Sequence, residues 1–200
     1  AGPNRLRVRI IGRSDHAGAT AYEDRYDTLL ATAEIITRVR EIGISQFKDR
    51  GHMTVARVVP HPNIINVVAG MTDVSVDFRA DTDQTAEAMR SAVEILFDEV
   101  CDKHRLTFEV VAVESVPPAP TPDAIKQAVM QGAEQANVES MPLISWAAHD
   151  AMVMAGVAES GMIFVPCRDG RSHCPEEFVE DDDIAYGIAT LANTLVALAT

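Results

Sequence analysis

Five side chains in this sequence are placed by type and spacing where they could do chemistry: His16, Asn66, Arg79, His149 and His173. His173 follows the apolar run Met162–Val165 and a break marked by Pro166 and Gly170, and Pro175 stands behind it. A strand ending in a loop with one histidine holds an imidazole at the rim of an α/β sheet, where ligands bind. His16 lies in the loop Ser14-Asp15-His16-Ala17-Gly18, Asn66 at a bend after Pro62, and Arg79 on the polar face of an alternating stretch. Each of these three has a plain structural reading: loop surface, turn former, solvated partner of Asp77. Together an imidazole, an amide and a guanidinium can clamp a carboxylate and polarise a carbonyl, with arginine as a bidentate fork. His149, in Ser145-Trp146-Ala147-Ala148-His149-Asp150, falls at a helix start and reads equally as cap region or ligand contact.

The elements that must position these groups are legible from periodicity. Leu6, Val8 and Ile10 alternate with Arg5, Arg7 and Arg9, the pattern of a half-buried strand. From about Arg25 to Ile42 the spacing is helical, with Leu29, Ala33, Ile36 and Val39 or Arg40 as the stripe and Gly43 as the stop. His52–Val59 is β-branched and predicts a strand ending at Pro60; Asp73–Arg79 predicts another with Val74, Val76 and Phe78 inward. A second helix, about Gln84 to Asp102, has Met89, Val93, Leu96 and Val100 on one face. Leu106, Phe108, Val110 and Ala112 predict a fourth strand. The order βαββαβ predicts an α+β unit, an antiparallel sheet with both helices on one face, complete by about Glu114.

The proline-dense stretch Pro117–Pro122 reads as an extended boundary, and Thr121-Pro122 as the cap and first turn of a helix to about Asn137. A short helix at His149–Ala155, a strand at Met162–Val165 and a helix from Asp182 to Leu198 follow. One strand is not a sheet. Residues beyond about 117 therefore read as the end of a larger α/β domain whose other strands lie upstream or on another chain.

Composition excludes some function classes. The chain is 47% hydrophobic with 24% charged residues and a net charge of −13. That balance argues against a nucleic-acid groove or an anionic membrane surface, both of which need a basic patch. No apolar run is long enough to span a membrane, and Ala1-Gly2-Pro3 does not resemble a signal peptide. Three cysteines, Cys101, Cys167 and Cys174, make no disulfide framework and favour a reducing cytoplasm. The spacing of Cys167 and Cys174 fits no usual zinc pattern.

Five motifs occur in a family-like order: Asp15-His16-Ala17-Gly18, Pro62-Asn63-Ile64-Ile65-Asn66-Val67, Asp77-Phe78-Arg79, Ala148-His149-Asp150-Ala151 and Gly170-Arg171-Ser172-His173-Cys174-Pro175. In this the chain resembles the M20-type metallo-amidohydrolases, and within them the hydantoinase/carbamoylase branch: N-carbamoyl-L-amino-acid hydrolase, β-ureidopropionase and allantoate amidohydrolase. The resemblance implies that residues 1–116 are a lid and dimerisation domain, and 117–200 the C-terminal part of a catalytic domain. It implies metal-dependent hydrolysis of a carbamoyl or ureido C–N bond on a small carboxylate substrate. Two divalent ions (Zn, Mn or Co) are implied, with His173 as this chain's one ligand. His16 would stabilise the oxyanion, Asn66 and Arg79 would hold the carboxylate, and His149 would lie beside the substrate. The remaining ligands and the general base would come from upstream motifs that this sequence lacks, so the chain alone is expected to be inactive. Other M20 activities, peptidase or aminoacylase, and a non-enzymatic dimerisation module are the alternatives. The sequence departs from the family at Trp146 and Ala148, which stand in place of glycines, and at Cys167 and Cys174, where serines are common.

Overall fold

A computed structural model describes residues 1–199. The chain divides into two compact units, Ala1–Pro118 with Ser145–Ala148, and Ala119–Ile144 with the residues from His149 onward.

The first unit contains strands β1 (Gly2–Ile11), β2 (Asp15–His16), β3 (Gly51–His61), β4 (Val67–Val68), β5 (Met71–Ala80) and β6 (Thr107–Ser115), with helices α1 (Thr28–Ile42) and α2 (Asp83–Lys103). Four strands form an antiparallel sheet in the order β3-β5-β1-β6, and β2 and β4 form a separate two-stranded ladder. This is the βαββαβ unit that the alternation predicts. Along β5, buried and half-exposed residues alternate without a break. Leu6, Val8, Ile10, Val74, Val76 and Phe78 face Ile35, Val39, Met89, Val93, Leu96 and Phe97 of the two helices in one core.

The other face of the sheet meets solvent with charge. Arg5 reaches Asp77 (3.3 Å) and Glu114 (3.5 Å), Arg7 reaches Glu114 (3.7 Å), and Arg9 reaches Asp73 (2.8 Å) and Glu109 (3.4 Å). These pairs are cross-strand neighbours on β1, β5 and β6, so the alternation that buries the valines also stacks the ions.

Three sequence expectations need correction here. Helix α1 turns a different stripe inward: Thr28, Ala31, Thr32, Ile35 and Val39 are buried, while Leu29, Ala33 and Ile36 are exposed. Both stripes fit a 3.6-residue period. The threonines can be buried because their hydroxyls are paired: Thr28 Oγ1 bonds Ala69 O and Thr72 Oγ1, and Thr32 Oγ1 donates to Thr28 O. Helix α1 starts only at Thr28, where Asp27 accepts from the Leu29 and Leu30 amides. In β6 the simple alternation breaks at a bulge. Val8 pairs with Val110 but Arg7 with Ala112, so Val111 is the extra residue and Val113, not Ala112, stands opposite Leu6.

The second unit has helices α3 (Asp123–Gln135), α4 (Asp150–Met154) and α5 (Asp181–Ala199). Helix α3 has Pro122 at its cap position and no side-chain cap, so Thr121 does not serve as expected. Helices α3 and α5 approach closely because Gly132 has no side chain: a Cβ there would lie 2.6 Å from Thr194 Oγ1. Asn193 Nδ2 donates to Gly132 O across the same contact (3.1 Å). The apolar run Met162–Val165 is not a strand among the described residues. Strand geometry needs a hydrogen-bonded neighbour, and the run has none, leaving Met162 and Phe164 exposed.

Candidate functional site

His16 is held by the small β2–β4 ladder, in which it pairs with Val67. The Ala17 amide donates to Asn66 O (2.9 Å), so the histidine loop and the Asn66 bend are stitched together. Gly70 permits this crossing, since a Cβ there would sit 2.3 Å from Ser14 N. The loop is tied down further by Arg25, which donates to Thr20 O (3.0 Å) and Ala17 O (2.6 Å). The sequence reading had not singled out Arg25; its role depends on loop carbonyls that carry no sequence signature.

The orientation of the His16 ring is informative. Its Nδ1 accepts from the amides of Gly18 and Ala19, both at 3.1 Å. An amide N–H can only donate, so Nδ1 supplies a lone pair and the proton of the neutral ring is on Nε2. The side chain is exposed, as is that of Asn66. These two sequence-picked residues are thus brought together, one as an N–H donor and the other as a carboxamide.

Arg79 lies elsewhere. It is near the far end of β5, nine residues beyond Gly70. At about 3.3 Å per residue that is on the order of 30 Å along the strand. The expected clamp of Asn66 and Arg79 on one carboxylate is therefore not formed within a single unit. Arg79 is a half-buried fork on its own strand neighbour: Nε donates to Asp77 Oδ1 (2.8 Å) and Nη2 to Asp77 Oδ2 (3.3 Å). Residues 77 and 79 share the open face of the sheet because side chains alternate along a strand.

In the second unit, His149 occupies the cap position of α4 with extended backbone, and its ring meets Phe164 edge-on at 5.7 Å. His173 is exposed and has φ +58. Its backbone N–H is taken by Glu177 Oε2 (3.0 Å), which holds the tight conformation in place. A non-glycine residue in the left-handed region carries a local cost that its surroundings must offset. Cys167 Sγ bonds Arg171 O (2.9 Å) within the same loop.

Among the described residues no three imidazole, thiolate or carboxylate groups converge as a metal centre would require. An exposed imidazole such as His173 fits the part of one ligand among others.

The fold and these motifs define a hydrolase-family chain: the model of the peptidase family M20/M25/M40 matches residues 9–197, and the chain belongs to that family. Within it, the chain is 32% identical to an N-carbamoyl-L-amino-acid amidohydrolase of Paenarthrobacter aurescens, covering 98% of this chain and 48% of that protein. It is 32% identical to a ureidoglycolate hydrolase of Oryza sativa, covering 99% of this chain and 41% of that one. A hydantoinase/carbamoylase family amidase from Burkholderia ambifaria superposes with a TM-score of 0.88 at 26% identity, over all of this chain and 47% of that structure. The chain thus spans about half the length of the relatives it matches.

Proposed function

We propose that the whole protein hydrolyses the C–N bond of a carbamoyl or ureido group on a small amino-acid-like carboxylate, and that this chain supplies the substrate grip. The observation that carries the proposal is the His16 ring. With Nδ1 committed to two amides, Nε2–H is a fixed, exposed donor. Such a donor stabilises the negative charge that develops on the carbonyl oxygen as water adds. Arg79, with part of its fork uncommitted, serves the substrate carboxylate, and the Asn66 carboxamide adds a hydrogen bond. His149 lies beside the substrate in this reading.

Residues 1 to about 116 form the lid and dimerisation domain, and about 117 to 200 the C-terminal part of the catalytic domain. The separation of His16 and Asn66 from Arg79 supports a homodimer. One small substrate cannot touch both ends of the sheet, so a shared grip needs the two ends from two copies. The exposed apolar face of α1, with Leu29 and Ile36, lies on the helix that packs beside edge strand β3 and suits a second copy. Two divalent ions would supply an activated water when bound. His173 is this chain's ligand to them. Alone, the chain is inactive.

The test is a screen of the full-length protein with manganese, cobalt or zinc against N-carbamoyl amino acids, ureidoglycolate, allantoate and dipeptides. Release of ammonia or free amino acid from a carbamoyl or ureido substrate is expected. Hydrolysis of dipeptides only would reject the branch, and no hydrolysis at all would reject the activity. Arg79→Lys, which keeps the charge but loses the fork, should raise KM for carboxylate substrates about tenfold with a smaller change in kcat.

A further inference from the structure

Arg79 is held from two directions, and only one of them lies in its own strand. Besides the fork on Asp77, its Nη1 donates to the backbone carbonyl of Trp146, a long bond of 3.4 Å. Trp146 belongs to the short segment Ser145–Ala148, which folds with the first unit although it is distant in sequence. The indole ring meets His52 edge-on, with centroids 4.7 Å apart. His52 is the cross-strand partner of Arg79 in the β3–β5 register. The tryptophan therefore bridges two neighbours on the sheet, its ring on one and its carbonyl on the other.

The count of donors matters. A guanidinium has five N–H bonds. Asp77 takes two and Trp146 takes one. One N–H on each terminal nitrogen remains, the number a carboxylate needs to bind at two points. Asp77 is itself braced by Arg5 across the strand (3.3 Å). Arg5 and Arg79 thus share Asp77, and Arg5 and Arg7 share Glu114, so each carboxylate of this corner is met by two guanidinium groups.

We infer that Trp146 and Asp77 are positioning residues for Arg79. They fix the guanidinium so that its two remaining N–H bonds are presented to a carboxylate. The inference rests on the reading of Arg79 as the substrate's carboxylate anchor, and it assigns to Trp146 a function that follows from its contacts in this chain. The ring matters through the stack on His52, which keeps the carbonyl over Nη1. A residue without a ring at 146 removes that stack, leaving the segment to the bond from the Ala1 ammonium to Ser145 O (2.8 Å), and lets the guanidinium turn.

The experiment uses the full-length protein and two readouts. The first is solvent exchange of the Arg79 Nε–H in a nitrogen-15 spectrum, assigned by its disappearance in Arg79→Lys. Exchange should be at least about tenfold faster in Asp77→Asn and clearly faster in Trp146→Ala, with Trp146→Phe close to wild type. The second is KM for an N-carbamoyl amino acid. Trp146→Ala and His52→Ala should each raise it about fivefold with a smaller effect on kcat, and the double variant should be no worse than either. His52→Ala keeps the test open should Trp146→Ala fail to fold. Exchange in Trp146→Ala or His52→Ala within twofold of wild type overturns the inference, as does faster exchange with an unchanged KM. The exchange readout needs no turnover, so absence of carbamoyl hydrolysis would count against the proposed activity and leave the positioning of Arg79 to be judged by the spectrum.

Discussion

The two units solve the problem of burying apolar surface in opposite ways. In the first, a four-stranded sheet covers two helices, and side chains as large as Phe78, Phe97, Met89 and Leu96 are fully buried. In the second, the buried positions are Ala128, Gly132, Ala133, Thr190 and Thr194, while Ile188, Leu191, Leu195 and Val196 remain exposed. Helices α3 and α5 hide a narrow seam, and small residues allow the seam to be close. The unit with a sheet has a core of large side chains; the unit without one leaves the large side chains of α5 exposed.

The sharpest way to test that contrast is to remove one ring from each unit. Phe97→Ala, which also loses the Phe108 ring at 5.6 Å, should cost about 3–5 kcal/mol in urea unfolding. Phe164→Ala, at a side chain 48% exposed, should fall within about 0.5 kcal/mol of zero in the same chain. Similar losses would mean that the second unit has a core of its own. A smaller effect concerns helix ends. In the first unit α1 and α2 are capped by Asp27 and Thr82, whereas α3 and α4 of the second have no side-chain cap. Asp27→Ala should therefore destabilise by about 1 kcal/mol, read from the same unfolding curves.

The smallest expected effect is a matter of pH. Bonds from Lys103 and His104 hold the Glu34 carboxyl below its usual range, and the Arg9 guanidinium does the same for Asp73. A carboxylate whose pKa is lower in the folded state favours folding when ionised. Its contribution is complete above the ordinary values of 4.5 and 3.8 and is lost as pH falls through the lowered folded values. Glu34→Gln should flatten the acid side of the stability profile, measured as urea midpoint against pH. An unaltered acid limb would remove Glu34 from the account.

Most of the first unit was legible because β1 and β5 alternate strictly and α2 has one unambiguous stripe. The stripe of α1 was misread because hydrophobicity favoured Leu29 and Ile36, while the fold buries Thr28 and Thr32 through hydroxyl pairing that depends on β5. The bulge at Val111 leaves no mark in composition. The run at Met162 has strand chemistry but no partner, so pattern alone overstates it. Among the functional candidates, residue types could be picked from sequence. Their grouping could not, since His16 and Asn66 meet through a ladder of two residues and Arg79 is directed by a carbonyl 67 positions away.

The ion ladder on the open face has a consequence for how the chain finds its alignment. Sliding β1 by two residues against β5 would keep every apolar side chain on the correct face, so burial alone does not forbid it. One such slip would set Arg5 opposite Arg79 instead of Asp77 and move Arg9 from Asp73 to Ser75, gaining in exchange one pair, Arg7 opposite Asp77. The charges thus act as a proofreading device, penalising an error to which the greasy side of the same sheet is blind.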